Sequence, residues 1–115
     1  FPPAPAFEMN DYLRLSARLH SLDMSNQNYF EHEGLDGRSP DERIHDAGFM
    51  GSYPTGENIS AGYVTAAASV EGLMNSPGHC RNIMNPEFTV IGLGFSYNRT
   101  SDFGEYWTQN FGGSH

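Results

Sequence analysis

Three residues with side chains suited to metal or acid–base chemistry stand in separate short motifs: His32 in NYFEH, Glu57 in GENI and His79 in SPGH. Two neutral imidazoles and one carboxylate form a three-ligand set for a divalent ion such as zinc, with a position left open for water or substrate. No HExxH-type spacing joins the three residues, so the sequence alone fixes no geometry. A hydrogen-bonded network that ties loops to a sheet is an equal alternative, because buried polar groups need partners.

If His32, Glu57 and His79 lie together, their charges should make the cluster sensitive to pH. Glu57 beside two histidines would act as their counter-charge, which lowers the pKa of the carboxyl and raises the pKa values of His32 and His79. The cluster would then titrate in the mildly acidic range.

Two candidate nucleophiles flank His79. A serine beside a base can be activated, but no GxSxG elbow surrounds Ser76, and Ser76-Pro77-Gly78 is typical of the end of a helix. Cys80 follows His79 directly, yet lone cysteines are commonly buried small hydrophobic residues. We expect a structural role for both.

Composition limits the class of protein. A chain of 115 residues is the size of one domain, and we expect residues 1–6, with three prolines, to be a linker stub before a single domain at residues 7–115. The net charge of −8 argues against a nucleic-acid partner. No apolar run is long enough to span a membrane, and one cysteine permits no internal disulfide. We expect a monomer.

The order of predicted elements indicates an α+β fold, with helices packed against a mostly antiparallel sheet. Apolar spacing identifies the helices, and alternation identifies strands that pack on both faces. Predicted helices cover residues 8–26, 40–47 and 65–75, predicted strands cover residues 89–97 and 105–111, and residues 55–62 are a loop entering a short strand.

Helical spacing also predicts which side chains face inward. The first helix should bury a broad apolar arc, in which His20 and Asp23 each need a hydrogen-bond partner. The second helix should present Arg43 and its charged neighbours to solvent. The arc comprises Tyr12, Leu13, Leu15, Ala17, Leu19, Leu22 and Met24.

Four segments in sequence carry a family resemblance: residues 28–32 (NYFEH), 56–59 (GENI), 76–83 (SPGH with a following Asn-Ile) and 106–112 (YWTQNFG), with IGLGF before the last. Their order and spacing resemble a bacterial-type CAP domain, the SCP-like superfamily of cysteine-rich secretory proteins, antigen 5 and plant pathogenesis-related proteins. The resemblance implies a three-layer α-β-α sandwich with a mostly antiparallel central sheet. The family's first helix has no match before Phe7, which implies a domain that lacks it.

The resemblance also implies a surface cleft in which two His and two Glu gather. His32, Glu57 and His79 map directly onto that set, whereas Ser76 occupies the place of the second Glu. Glu71 points about 140° away from position 76 on a helix and is a poor substitute. The expected cleft lining is Asn58, Ser76, Asn82 and Gln109.

The resemblance implies a secreted or cell-envelope domain that binds a small-molecule, peptide or cell-envelope ligand, with a weakly held divalent metal such as zinc on His32, His79 and Glu57. One alternative is a metal-dependent hydrolase in which His32 and His79 hold the ion and Glu57 is the general base. Another is a lipid or sterol carrier. The missing second Glu favours binding.

Overall fold

Four helices and four strands make up residues 7–113, the part of the chain that this computed structural model describes. The predicted linker stub at residues 1–6, and any counterpart of the family's first helix, lie outside that range. In chain order the elements are β1 (Glu8–Met9), α1 (Asp11–Gln27), α2 (Pro40–Asp46), β2 (Ser52–Ala61), α3 (Ala66–Met74), α4 (Pro77–Met84), β3 (Val90–Tyr97) and β4 (Glu105–Gly113).

The strands form one sheet in the order β1-β3-β4-β2, which makes β2 an edge strand. β4 pairs antiparallel with both β2 and β3, and only β1 pairs parallel, with β3. Helices lie against this sheet, so the predicted α+β sandwich with a mostly antiparallel sheet is confirmed. None of the helices between residues 7 and 113 has the length and apolar character needed to cross a bilayer. The radius of gyration is 13.3 Å, as expected for a compact chain of this size.

α1 packs closely on one face of β3 and β4. A Cβ atom at Gly92 would lie 2.1 Å from the α1 backbone, and one at Gly94 would lie 2.3 Å from it, so only glycine permits this approach. The space left between helix and sheet suits small side chains: Ser21 and Ser25 each hydrogen-bond a hydroxyl group of the sheet. The buried face of α1 is therefore partly polar.

This packing corrects the predicted arc of α1. Leu13, Ala17 and Met24 are buried as expected, and so is His20, but the other four apolar members of the arc are exposed. Close approach of helix and sheet excludes large side chains from most of the interface, which leaves the longer ones outside. The exposed members are Tyr12, Leu15, Leu19 and Leu22.

Two further predictions about faces were wrong. β3 was expected to pack hard on both faces, but Leu93, Phe95 and Tyr97 are exposed on the face opposite α1. Arg43 was expected on a solvated face of α2, but it is buried beside Ile44.

The chain bounds of several elements also differ from the prediction. α2 begins at Pro40 as predicted, and Ser39 and Glu42 form a capping box at its start. Residues 55–62 were expected to be a loop entering a short strand, but residues 55–61 belong to the ten-residue strand β2, which extends along β4. The third helix ends before Ser76-Pro77-Gly78 as predicted, but Pro77 also occupies the first position of α4, an unpredicted helix, where its missing N–H costs nothing.

Candidate functional site

Glu57 is the centre of the site and lies on β2 with its side chain 1% exposed. Its Oε1 accepts hydrogen bonds from His32 Nδ1 and Arg43 Nη2, both at 3.0 Å. Its Oε2 accepts a hydrogen bond from Asn110 Nδ2 at 2.8 Å. Arg43 Nη1 also lies 3.0 Å from Oε2, close enough for an ion pair but without hydrogen-bond alignment. Donors therefore surround both carboxylate oxygens.

These partners decide the charge of Glu57. Burial by itself raises the pKa of a carboxyl group, but the hydrogen bonds from His32 and Arg43 and the positive charge of Arg43 outweigh it. The pKa of Glu57 is therefore below its usual value, and the side chain is an anion at neutral pH. The predicted lowering of this pKa is confirmed, with Arg43 as a cause that the sequence did not indicate.

His20 lies on α1 beside this carboxylate, with Nε2 3.9 Å from Glu57 Oε1. The same nitrogen donates to the backbone oxygen of Glu31 at 2.8 Å, since a carbonyl can only accept. Burial lowers the pKa of His20, against the opposing effect of Glu57 and with a smaller contribution from Arg43. His20 and Asp23 both find the hydrogen-bond partners expected for them: Asp23 accepts from the Tyr29 hydroxyl group.

A cleft of about 460 Å³ opens beside β2, at the edge of the sheet. His32 enters it from the segment after α1, and His79 and Ser76 enter it from the start of α4. Phe30, Tyr63 and Leu73 supply apolar walls. The His32 side chain is 51% exposed, so the structure places two imidazoles and a hydroxyl group where a ligand has access.

An amide network on the opposite face of the sheet from Glu57 holds α4 in place. Asn58 Nδ2 donates to Gln109 Oε1 at 3.0 Å and to the backbone oxygen of His79 at 3.1 Å. Asn82 Nδ2 donates to Asn58 Oδ1 at 2.9 Å. Asn58 and Gln109 are buried. They lie behind the cleft rather than on the wall predicted for them, and they position His79.

The pKa of His79 is lowered, whereas the sequence predicted that it would be raised. Burial lowers its pKa, and the nearby His32 lowers it further. The expected rise required the charge of Glu57 to act on His79, but that charge is turned towards Arg43 and Asn110. Both His32 and His79 line the cleft, so a ligand bound there has access to both rings.

The donor set differs from the three-ligand arrangement considered above. Across residues 7–113, no group of three or more His, Cys, Asp and Glu side chains is placed to hold a metal ion. Glu57 is directed into the interior, and Ser76 offers no carboxylate at the position of the family's second Glu. His32 and His79 remain as the exposed donors.

Arg43 and Asn110 are the site residues that the sequence analysis missed. Arg43 sits among charged neighbours on a short helix, so its pattern resembles a solvated face. One signal could have identified it. A buried Glu57 needs a cation beside it, and the chain has only six basic residues from which that cation could come. Nothing in the sequence of β4 distinguishes Asn110 before its pairing with Glu57 is known.

Comparisons with known proteins identify related sequences and structures. The YkwD protein of Bacillus subtilis (strain 168), described as uncharacterized, is 41% identical over 105 residues, which are 90% of this chain and 38% of that protein. A crystal structure of an extracellular protein containing a SCP domain from Bacillus anthracis has a TM-score of 0.83 and 30% identity, over 96% of this chain and 35% of that one. This chain thus spans well under half the length of both.

A third comparison concerns the fold alone. An outer surface protein of Borrelia burgdorferi matches with a TM-score of 0.83 at 22% identity, over 97% of this chain and 80% of that one. The model of the cysteine-rich secretory protein family, CAP, matches residues 3–111. Because this model covers most of the chain, the chain belongs to the CAP family, and it is similar to a bacterial protein that contains a SCP domain.

Proposed function

We propose that this chain is an extracellular binding domain that takes a small-molecule, peptide or cell-envelope ligand in the cleft beside β2. The proposal rests on the hydrogen bonds that already occupy the Glu57 carboxylate. Its two oxygens are surrounded by His32, Arg43 and Asn110, so the carboxylate organises the site from inside and is withheld from a ligand. His32 and His79 remain open to a ligand, together with the polar lining residues Glu31, Ser60 and Ser76, in a cleft whose other walls are apolar, the usual composition of a ligand site.

The same observation argues against a hydrolase with Glu57 as general base. A general base works best with a pKa near the operating pH and with its oxygen within reach of the attacking water. Glu57 has a lowered pKa, is 1% exposed and already accepts three hydrogen bonds. Binding is therefore the better-supported function for this cleft.

Zinc fits the cleft as a weakly held ion. The bond from His32 Nδ1 to Glu57 leaves Nε2 for an ion, and a carboxylate behind a histidine is the common arrangement at zinc sites. His79 would supply the second ligand. Two imidazoles without a third protein ligand favour exchangeable binding, and the ion's open positions would accept a donor group of the ligand.

Location outside the cell is supported by one relative. The Bacillus anthracis protein, which is 30% identical to this chain, is described as extracellular. A domain without disulfides must rely on its core and polar networks there, since Cys80 is a free, buried thiol.

Zinc titration by calorimetry tests whether the cleft binds the metal. We expect weak, saturable binding to the wild type at pH 7.5, with at least a roughly tenfold loss of affinity in His79→Ala because one of two imidazoles is gone. His45→Ala, which removes an exposed histidine from α2, is the matched control and should bind as the wild type does. Equal affinities in all three proteins would remove the metal from the cleft.

A turnover assay separates binding from hydrolysis. Peptide and ester substrates are incubated with wild type and His32→Ala, with and without chelator, and we expect no turnover above the buffer rate. Turnover by the wild type that is lost in His32→Ala would overturn the binding proposal and assign chemistry to the cleft.

A further inference from the structure

A second cavity, of about 750 Å³, lies beside α1 and is separate from the cleft. α1, the segment at residues 34–38 and the end of α2 enclose it. Leu15, Leu19, Leu22 and Leu35 line it, and these residues are between 46% and 64% exposed. Three of these leucines follow helical spacing along α1, so they form one continuous apolar wall. The volume is in the usual range for small-molecule sites.

The inner end of this cavity carries polar atoms without partners. Ser16, His20 and Arg43 line it and are only 2%, 1% and 7% exposed. Ser16 Oγ, His20 Nδ1 and Arg43 Nε form no hydrogen bond within the described chain. Because a buried polar atom without a partner is unfavourable, this end of the cavity is suited to a polar group that enters from outside.

The chemistry of these atoms defines that group. His20 Nε2 carries the ring proton, since it donates to the Glu31 carbonyl, so Nδ1 of the neutral ring is an acceptor. Arg43 Nε is a donor, and the Ser16 hydroxyl group is both. A complementary group must accept from Arg43 and donate to His20. A primary carboxamide does both, with its oxygen and its NH₂ group.

Charged groups fit less well. A carboxylate has no proton for His20 Nδ1, and an ammonium group has no lone pair for Arg43. Asp23, Asp36 and Asp46 also line the cavity, with Arg38 paired to the last two, in a chain of net charge −8. This surrounding repels anions.

We propose that the cavity beside α1 is a second binding site, independent of the cleft, for a neutral amphiphile with a primary carboxamide head and an alkyl body. The head lies against Ser16, His20 and Arg43, and the alkyl chain lies along the leucines of α1. Nothing in this assignment depends on the function proposed for the cleft, because none of these groups is an exposed cleft residue.

Titration of octanamide into ¹⁵N-labelled protein, followed by NMR, tests the head group. We expect saturable shifts in α1 and residues 34–38, and about tenfold weaker binding of octanoate and octylammonium, each of which leaves a buried atom unpaired. Equal binding of the three probes would mean unspecific apolar contact and would overturn the proposal, as would the absence of saturable shifts.

Variants test the location. Leu19→Gln should weaken octanamide binding about tenfold, because it removes part of the apolar wall. Ser16→Ala should also weaken binding, because it removes a polar group at the inner end of the cavity. Leu93→Gln replaces a similarly exposed leucine on the other side of the sheet and should leave binding unchanged. Equal affinities of the Leu19 and Leu93 variants would overturn the proposal. So would loss of binding in His79→Ala, since that would place octanamide in the cleft.

Discussion

Arg43 is the residue on which the charge of Glu57 depends. A buried carboxylate is strongly unfavourable without a cation, and the guanidinium group of Arg43 lies 3.0 Å from both of its oxygens. Arg43 Nη2 also donates to the backbone oxygen of His32 at 2.6 Å. The same side chain therefore neutralises the site and fixes the segment that carries His32.

Replacing Arg43 should expose this dependence. Arg43→Met keeps much of the buried volume but leaves Glu57 without a counter-charge, and we expect the free energy of unfolding at pH 7 to fall by about 3 kcal/mol or more. Denaturant unfolding measures it. Arg38→Met removes a half-exposed arginine paired with Asp36 and Asp46 and should change stability little.

A second substitution tests the cause of the loss. Adding Glu57→Gln to Arg43→Met removes the unpaired charge, so part of the stability should return. If Arg43→Met unfolds no more easily than Arg38→Met, the ion pair does not stabilise the site in the way described here.

The candidate site was only partly predictable at the level of residues. His32, Glu57 and His79 are identifiable because each lies in a recognisable motif, and the structure brings both histidines to one cleft. The role of Glu57 depends on which face of β2 it occupies and on what lies opposite, namely Arg43 and Asn110. Those partners come from a distant helix and from β4, and no local pattern of one sequence encodes such pairing.

Among the helices and strands, residue patterns close in sequence correctly predicted where two of the helices begin. The capping box fixed the start of α2, and Thr65 caps α3 as its position suggests. β1 was missed because two residues carry no periodicity and become a strand only by pairing with β3. The faces of α1 were partly misassigned because Gly92 and Gly94 of β3, far beyond the end of α1 in the sequence, decide how closely the helix approaches the sheet.

Gly94 tests this close approach. In Gly94→Ala, the added Cβ atom would lie 2.3 Å from the carbonyl carbon of Ala17, so α1 must move away from the sheet. We expect a loss of about 3 kcal/mol, seen as a drop in Tm of about 10 °C. Gly78→Ala is the matched control, because no atom lies within 4 Å of its added Cβ atom. Equal Tm values would show that helix and sheet can separate freely.

For the molecule as a whole, the titrating groups combine into one pH dependence. The pKa values of His20 and His79 are lowered by folding, so the unfolded chain binds more protons than the folded chain as pH falls through about 6.5. Stability is therefore fully present above that pH and decreases below it. Glu57 acts in the same direction, but its contribution is lost only as pH falls through its own lowered pKa.

Between pH 7 and pH 5 the histidines should dominate the pH dependence of stability, because ordinary carboxyl groups remain mostly ionised there. We expect the free energy of unfolding to fall with decreasing pH by at most about 1.4 kcal/mol per pH unit from the buried His20, with a smaller contribution from His79, which solvent screens. Urea unfolding at a series of pH values, with chelator present, measures the slope.

His20→Gln should make that slope shallower, since Gln does not titrate and can still donate a hydrogen bond towards Glu31. Leu19→Gln changes the neighbouring exposed residue and should keep the wild-type slope, so the two variants separate proton linkage from a general effect on α1. A His20→Gln slope equal to that of the wild type would mean that His20 binds its proton equally in both states. Burial beside Arg43 predicts the opposite: folding holds this ring neutral, and acid weakens the whole domain through it.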